Sequence, residues 1–193
     1  MAHNPYKLII KELLKDQAMY IQRDNDWYYY VSTRYIAVKI PEFIYKRYFQ
    51  TVNGYFIDLE ADEKATYRDN VVAKGGGFDV ISVFEKMKGG NDVIPTRFVY
   101  ELSRDKKGNS QLIRVLKSND YVTAVNEKYY NAVRDIVDCP FKQSNALSGL
   151  IWESDNNCSS VIVMPIRMPH SFNEEARALL GGLMNDIVDE SIA

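Results

Sequence analysis

Residues 121–168, YVTAVNEKYYNAVRDIVDCPFKQSNALSGLIWESDNNCSSVIVMPIRM, carry the pattern that decides the fold. Tyr121 to Val125 reads as a strand. Asn126 is placed to cap a helix running to about Val137, with Tyr129, Val133 and Ile136 facing inward. Leu147 to Glu153 and Ser160 to Met168 then make a hairpin around Asp155-Asn156-Asn157, closed by Pro169. The N-terminal part repeats this order, a helix followed by three strands, over residues 5–40. Pro5 suits a first turn, and Tyr6, Ile9, Ile10, Leu13 and Leu14 form an apolar stripe. Met19 to Gln22 and Trp27 to Val31 flank the turn-rich Arg23-Asp24-Asn25-Asp26, and Tyr35 to Ile40 continues the sheet before Pro41. Duplication of a β-α-β-β-β unit predicts one compact domain with helices packed on one face of a curved sheet.

Outside these two stretches the pattern is looser. Phe43 to Phe49 fits a short helix or a strand, and Tyr55 to Leu59 a strand. Glu60 to Asn70 and Gly75-Gly76-Gly77 read as a long loop. Asp79 can cap a helix through Met87, with Val80, Val83, Phe84 and Met87 on one side and Gly89 ending it. Arg97 to Ser103 and Gln111 to Lys117 alternate as a hairpin around Asp105-Lys106-Lys107-Gly108-Asn109. In the tail, Ser171 and Glu174 form a capping box ahead of Phe172, Ala176, Leu179, Leu183 and Ile187 at helical spacing. Gly181-Gly182 weakens that helix by about 1 kcal/mol per glycine relative to alanine, so it needs a docking surface.

The composition of the 193 residues, 46% hydrophobic and 26% charged, is that of a soluble globular protein. A net charge of −2 excludes a uniformly basic nucleic-acid coat and an acidic disordered chain. The charge is uneven: residues 1–50 hold 8 basic and 5 acidic groups, and residues 169–193 hold 1 and 5. Cys139 and Cys158 form no CxxC pair, which fits a reducing cytosol. No apolar run approaches membrane-spanning length, so no membrane partner is expected and a cytoplasmic location is.

Two histidines, His3 and His170, and the absence of clustered cysteines argue against a zinc site or histidine-based catalysis. The triple glycine lacks the spacing of a phosphate cradle, and Asp24 and Asp26 fall where turn chemistry explains them. No enzyme and no cofactor are expected. Fourteen tyrosines, including Tyr28-Tyr29-Tyr30, suit either half-buried strands or a stacking platform for single-stranded nucleic acid.

Ser160-Val-Ile-Val-Met-Pro-Ile-Arg-Met168 resembles the closing segment of bacterial DNA polymerase III sliding clamps, where a hydrophobic strand ends in Met-Pro-Met-Arg-Leu. Val125 to Val133 is similar to the passage from strand to helix in the same clamp half-domain, and Leu147 to Ile151 resembles the intervening strand. Trp27 to Val38 resembles a clamp hairpin whose turn reads Thr-Asp-Gly-His-Arg-Leu-Ala, with Ser32-Thr33-Arg34 in place of Asp-Gly-His. The resemblance covers residues 5–40 and 121–168. A family subunit has three domains and stops just after the motif, whereas this chain is shorter and continues for 25 residues, 169–193.

The resemblance implies an α+β fold of sliding-clamp-like βαβββ half-domains. Residues 1–41 would be the first half, 42–120 an insertion or partial second unit, 121–168 the closing half and 169–193 an amphipathic C-terminal helix. It implies a non-enzymatic role in DNA replication processivity or peptide-motif binding, in a divergent relative of phage or mobile-element type. Met164, Pro165, Ile166, Arg167 and Met168 would line a pocket for short linear motifs of DNA polymerase or other replication proteins. Read without the family, the same segment is an edge strand with its apolar side in the core.

Clamp helices present cations to double-stranded DNA in loose, non-specific contact. Lys7, Lys11 and Lys15, at i, i+4 and i+8, would be the DNA-facing residues; alternatively they mark a solvated helix face, with Glu12 and Lys15 an i,i+3 pair. A closed ring would require a homo-oligomer. The alternatives are a monomeric or dimeric interaction module that keeps the fold without encircling DNA, and a small enzyme recognisable by a buried carboxylate of raised pKa in a deep cleft.

Overall fold

A computed structural model of the chain describes residues 5–16, 18–87, 89–104, 108, 110–136, 140–154 and 158–167. The chain runs α1 (Pro5–Lys15), β1 (Ala18–Arg23), β2 (Tyr28–Ser32), β3 (Ile36–Pro41), α2 (Glu42–Asn53), β4 (Lys64–Arg68), β5 (Val71–Lys74) and α3 (Val80–Lys86). It continues through β6 (Asn91–Arg104), β7 (Ser110–Lys117), β8 (Val122–Asn126), α4 (Glu127–Val133), β9 (Phe141–Gln143), β10 (Leu150–Glu153) and β11 (Ser160–Val163). The fold is α+β: four helices and one open antiparallel sheet of eleven strands among the described residues, in the order β5-β4-β1-β2-β3-β11-β10-β9-β6-β7-β8.

The seam of this sheet is β3 against β11, with Ala37 opposite Ile162 and Val38 opposite Val161. Outward from it, β2, β1, β4 and β5 on one side answer β10, β9, β6 and β7 on the other, and β8 extends the second side. Each inner trio of strands follows one helix, α1 or α4, and these two helices pack together. Residues 42–120 supply α2, α3 and the outer strands β4 to β7.

Strand alternation sorts the core into two layers. Val31, Val38, Val161 and Trp152 face the layer that holds Ile9, Ile10 and Leu13 of α1, Tyr45 and Phe49 of α2, and Tyr129 and Val133 of α4. Tyr30, Ala37, Ile151 and Ile162 point the other way, against Val80 and Phe84 of α3. Three helices therefore share one face, and α3 covers the other, a departure from the one-face expectation. Strand alternation leaves Tyr30, Ala37, Ile151 and Ile162 apolar on the second face, and Val80 and Phe84 of α3 bury them. The predicted caps are present. Asp79 Oδ1 accepts from the Ser82 N–H at 3.1 Å, and Asn126 Oδ1 from the Lys128 N–H at 3.0 Å.

Of the helix or strand that the sequence allows over residues 43–49, the helix is the one formed, and four other segments differ from the sequence reading. Residues 43–49 lie within a helix, α2, which ends at Gly54 with φ +81°, its N–H donating to the Gln50 carbonyl. Tyr55 to Leu59 is not a strand. Its backbone is satisfied by tyrosine hydroxyls: Tyr45 OH donates to the Ile57 carbonyl (3.0 Å) and accepts from the Ile57 N–H (3.2 Å), and Tyr29 OH accepts from the Leu59 N–H (3.2 Å). Within the expected long loop lies the hairpin β4–β5, turned by Asp69 and Asn70 at φ +50° and +63°, the paired positive angles of a tight two-residue turn. β11 stops at Val163, since Pro165 has no N–H to give a ladder. Turns follow Val133 of α4. The tail helix over 169–193, the Asp155-Asn156-Asn157 turn, Met168 and both histidines lie outside the described residues.

Candidate functional site

The chain leaving β11 does not run into solvent. The Met164 N–H donates to the Tyr35 carbonyl at 2.8 Å, and the Ile166 N–H donates to the Ala124 carbonyl of β8 at 2.7 Å. Pro165 sits between these two anchors with no N–H to satisfy. The segment thereby ties the start of β3 to the far end of the sheet, and β8 curls back toward β11. Met164, Pro165, Ile166 and Arg167 line one wall of a cleft of about 430 Å³. The first three are half-buried and Arg167 is exposed. The segment is thus neither a continuous edge strand nor fully absorbed into the core.

The opposite wall comes from residues far away in sequence. Tyr35, half exposed, stacks on Tyr129 with ring centroids 5.7 Å apart and planes 20° from parallel. The Lys128 ammonium lies 4.4 Å from the centre of the Tyr129 ring, an ordinary cation–π distance. Burial, reinforced by the nearby Asp16 carboxylate, pushes the Tyr129 phenol well above its usual range, so it stays neutral and donates to Asp16 Oδ1 at 3.4 Å. Gln111 and Asn126 complete the rim with amide groups. The cleft offers an apolar and aromatic floor, amide hydrogen-bonding groups and two cations, the ingredients of a site for an extended chain carrying apolar side chains.

The structure brings Met164, Pro165, Ile166 and Arg167 together at this cleft. Lys7, Lys11 and Lys15 do not line it; they lie exposed along α1. Lys15 pairs with Glu12 at 2.5 Å, and no described carboxylate pairs with Lys7 or Lys11. On the neighbouring α4, Arg134 lies 3.5 Å from Asp135 and Lys128 belongs to the cleft. Sequence reasoning missed Tyr35, Gln111 and Lys128 as wall residues; Tyr129, which it assigned to the core, is buried there and also borders the cleft. The available signal was the capped helix start Asn126-Glu127-Lys128-Tyr129, which fixes where the Lys128 and Tyr129 side chains emerge.

The other candidates resolve into structure. Asp24 Oδ1 accepts from the Asp26 and Tyr28 N–H groups (2.9 and 2.8 Å), which is turn chemistry. Tyr29 and Tyr30 are buried in opposite core layers, so the tyrosine triplet is strand rather than platform. Glu63 and Asp79 are held below the usual carboxylate range, Glu63 first by the Glu60 backbone and then by Lys74, Asp79 first by the Ser82 N–H and then by Lys64. No helix among the described residues is long and apolar enough to cross a membrane, and no group of three or more His, Cys, Asp or Glu side chains among them is placed to hold a metal. Comparison of the chain with protein-family models, curated proteins and solved structures finds no match.

Proposed function

We propose that this protein is a non-enzymatic, sliding-clamp-like binding protein of the cytoplasm that receives short linear motifs of DNA polymerase or other replication proteins. The observation that carries the proposal is the Met164–Arg167 wall. The segment that resembles the clamp closing motif leaves the sheet at Val163 and lines a cleft faced by Tyr35 and Tyr129. Two α-β-β-β units meeting at one seam, with α1 against α4, are the arrangement that duplicated clamp-like half-domains would have. In this reading Met164 moulds itself to a partner side chain and Pro165 fixes the path of the wall. Lys7 and Lys11, with Lys15 partly neutralised by Glu12, supply weak phosphate contacts to double-stranded DNA, and several copies of the chain would form any ring.

A second reading keeps the peptide cleft and drops the ring: a monomeric or dimeric interaction module. The thin cationic line on α1 and the ion pair of Arg134 on α4 favour it. Fluorescence anisotropy with a labelled Gln-Leu-x-Leu-Phe peptide tests the cleft, and molecular mass against concentration separates the two readings. Binding should fall roughly five- to 150-fold with Met164→Ala, since a lost apolar anchor costs on the order of 1–3 kcal/mol. Absence of binding to the folded wild-type chain ends the peptide-site proposal.

A further inference from the structure

Tyr35 lines a second cleft as well, of about 310 Å³, whose other walls are Asp16, Ala18, Tyr20, Arg34 and Arg68. A ligand crossing Tyr35 would therefore touch both. Arg34 lies exposed in the short connection between β2 and β3 and pairs with no described carboxylate. Arg68, at the end of β4, is 69% exposed and only 3.5 Å from the still more open Asp69, an ion pair that water screens. Tyr20 is braced by Phe78, ring centroids 5.6 Å apart.

The first cleft contributes Lys128 and Arg167 and no acid among its lining residues. Glu127, next in sequence to Lys128, is occupied by a two-pronged pair with Arg114 at 2.8 and 2.5 Å. Asp16, the single acid lining either cleft, accepts from the Tyr129 hydroxyl. Four cations, Arg34, Arg68, Lys128 and Arg167, thus line two clefts that share Tyr35, against the single carboxylate of Asp16, on a chain whose net charge is −2. Such a local excess attracts anionic groups and penalises cationic ones.

On the basis of the peptide-binding reading above, we infer that the ligand is an extended peptide with acidic residues flanking its apolar motif. The apolar residues rest on Met164, Pro165 and Ile166, and the acidic flank crosses Tyr35 to reach Arg34 and Arg68. A peptide fits better than a nucleic acid because the apolar wall of the first cleft is aliphatic and the stacked face of Tyr129 is already taken by Tyr35.

The test uses the full chain and three labelled peptides that share a Gln-Leu-x-Leu-Phe core and carry an acidic, a neutral or a lysine flank. A labelled single-stranded oligonucleotide serves as the competing ligand. The acidic peptide should bind about three- to ten-fold more tightly than the neutral one at low salt, the gain of one or two solvent-exposed ion pairs, and the lysine peptide more weakly. High salt, or Arg34→Ala with Arg68→Ala, should erase that difference and leave the neutral peptide unchanged. Both arginines are surface groups, so the variants should melt with wild type, and Lys7→Ala with Lys11→Ala serves as a charge-matched control. Equal binding of acidic and neutral peptides overturns this inference and leaves the cleft assignment standing. Failure of all three peptides removes both, and preferential binding of the oligonucleotide overturns the choice of partner.

Discussion

The two α-β-β-β units of this protein share an order of elements and differ in how much ladder they keep. In the first, β1, β2 and β3 are 6, 5 and 6 residues long; in the second, β9, β10 and β11 are 3, 4 and 4. Long strands leave the first unit little free backbone, and its inward residues are almost wholly buried. Short strands release the chain early in the second unit. Two irregular stretches result, residues 144–149 and 164–167. Side chains hold the first: Thr123 donates to the Ala146 carbonyl and Gln143 to the Ser148 carbonyl. The other becomes the wall of the cleft. Where a unit gives up ladder, its backbone and side chains are left open to other contacts.

The largest effect should come from the joint core. Trp152 of β10 is 3% exposed in the layer that also holds Ile9 and Tyr29, so Trp152→Ala should cost about 3–5 kcal/mol and lower stability in a single denaturant transition. Two separated transitions would break the comparison, because the halves would then be folding as separate bodies. Next is Tyr45→Phe, which strips both hydrogen bonds from Ile57 and should cost about 1–3 kcal/mol in chemical denaturation, although the ring still stacks 3.9 Å from Tyr29. A neutral result would show that solvent reaches residues 55–59.

Asn126→Ala removes the α4 cap and should cost about 1 kcal/mol while weakening peptide binding, since the same turn sets Lys128 and Tyr129 at the cleft. Stability loss with unchanged affinity would detach the site from α4. The smallest effect concerns acid. Asp79 is held below its ordinary value of 3.8 by the Ser82 N–H and then Lys64. Its contribution is complete above that value and disappears as pH falls through the lower folded-state value. Asp79→Asn should keep the cap, lower stability slightly at neutral pH and flatten that part of a stability-versus-pH curve, so that variant and wild type converge in acid.

Much of this architecture was legible because single residues announce it. Asp79 and Asn126 mark helix starts, Asp24 marks a turn, and the Ile9-Ile10-Leu13 stripe declares the buried face of α1. The β4–β5 hairpin escaped because every residue of β5 is exposed, so no alternation of burial shows in its side chains. The 55–59 segment looked like a strand because Ile57 and Leu59, two apart, are apolar and buried, yet its partners are phenol hydroxyls, which no periodicity reveals. For the cleft, Met164 to Arg167 could be read from their own motif. Tyr35 and Gln111 could not, since their proximity exists only after the seam has formed and β8 has curled back.

That seam also sets a schedule. β3 is made early and β11 late, so during synthesis the free edge of β3, with Ile36, Val38 and Ile40, waits while everything from β4 to β10 is added. At ribosomal speeds of ~5–20 residues per second the wait lasts on the order of ten seconds. An apolar edge left open that long invites pairing with other nascent chains. Lys39, partly exposed and resting over the rings of Tyr28 and Tyr30, is the one charged group along that strand to oppose it.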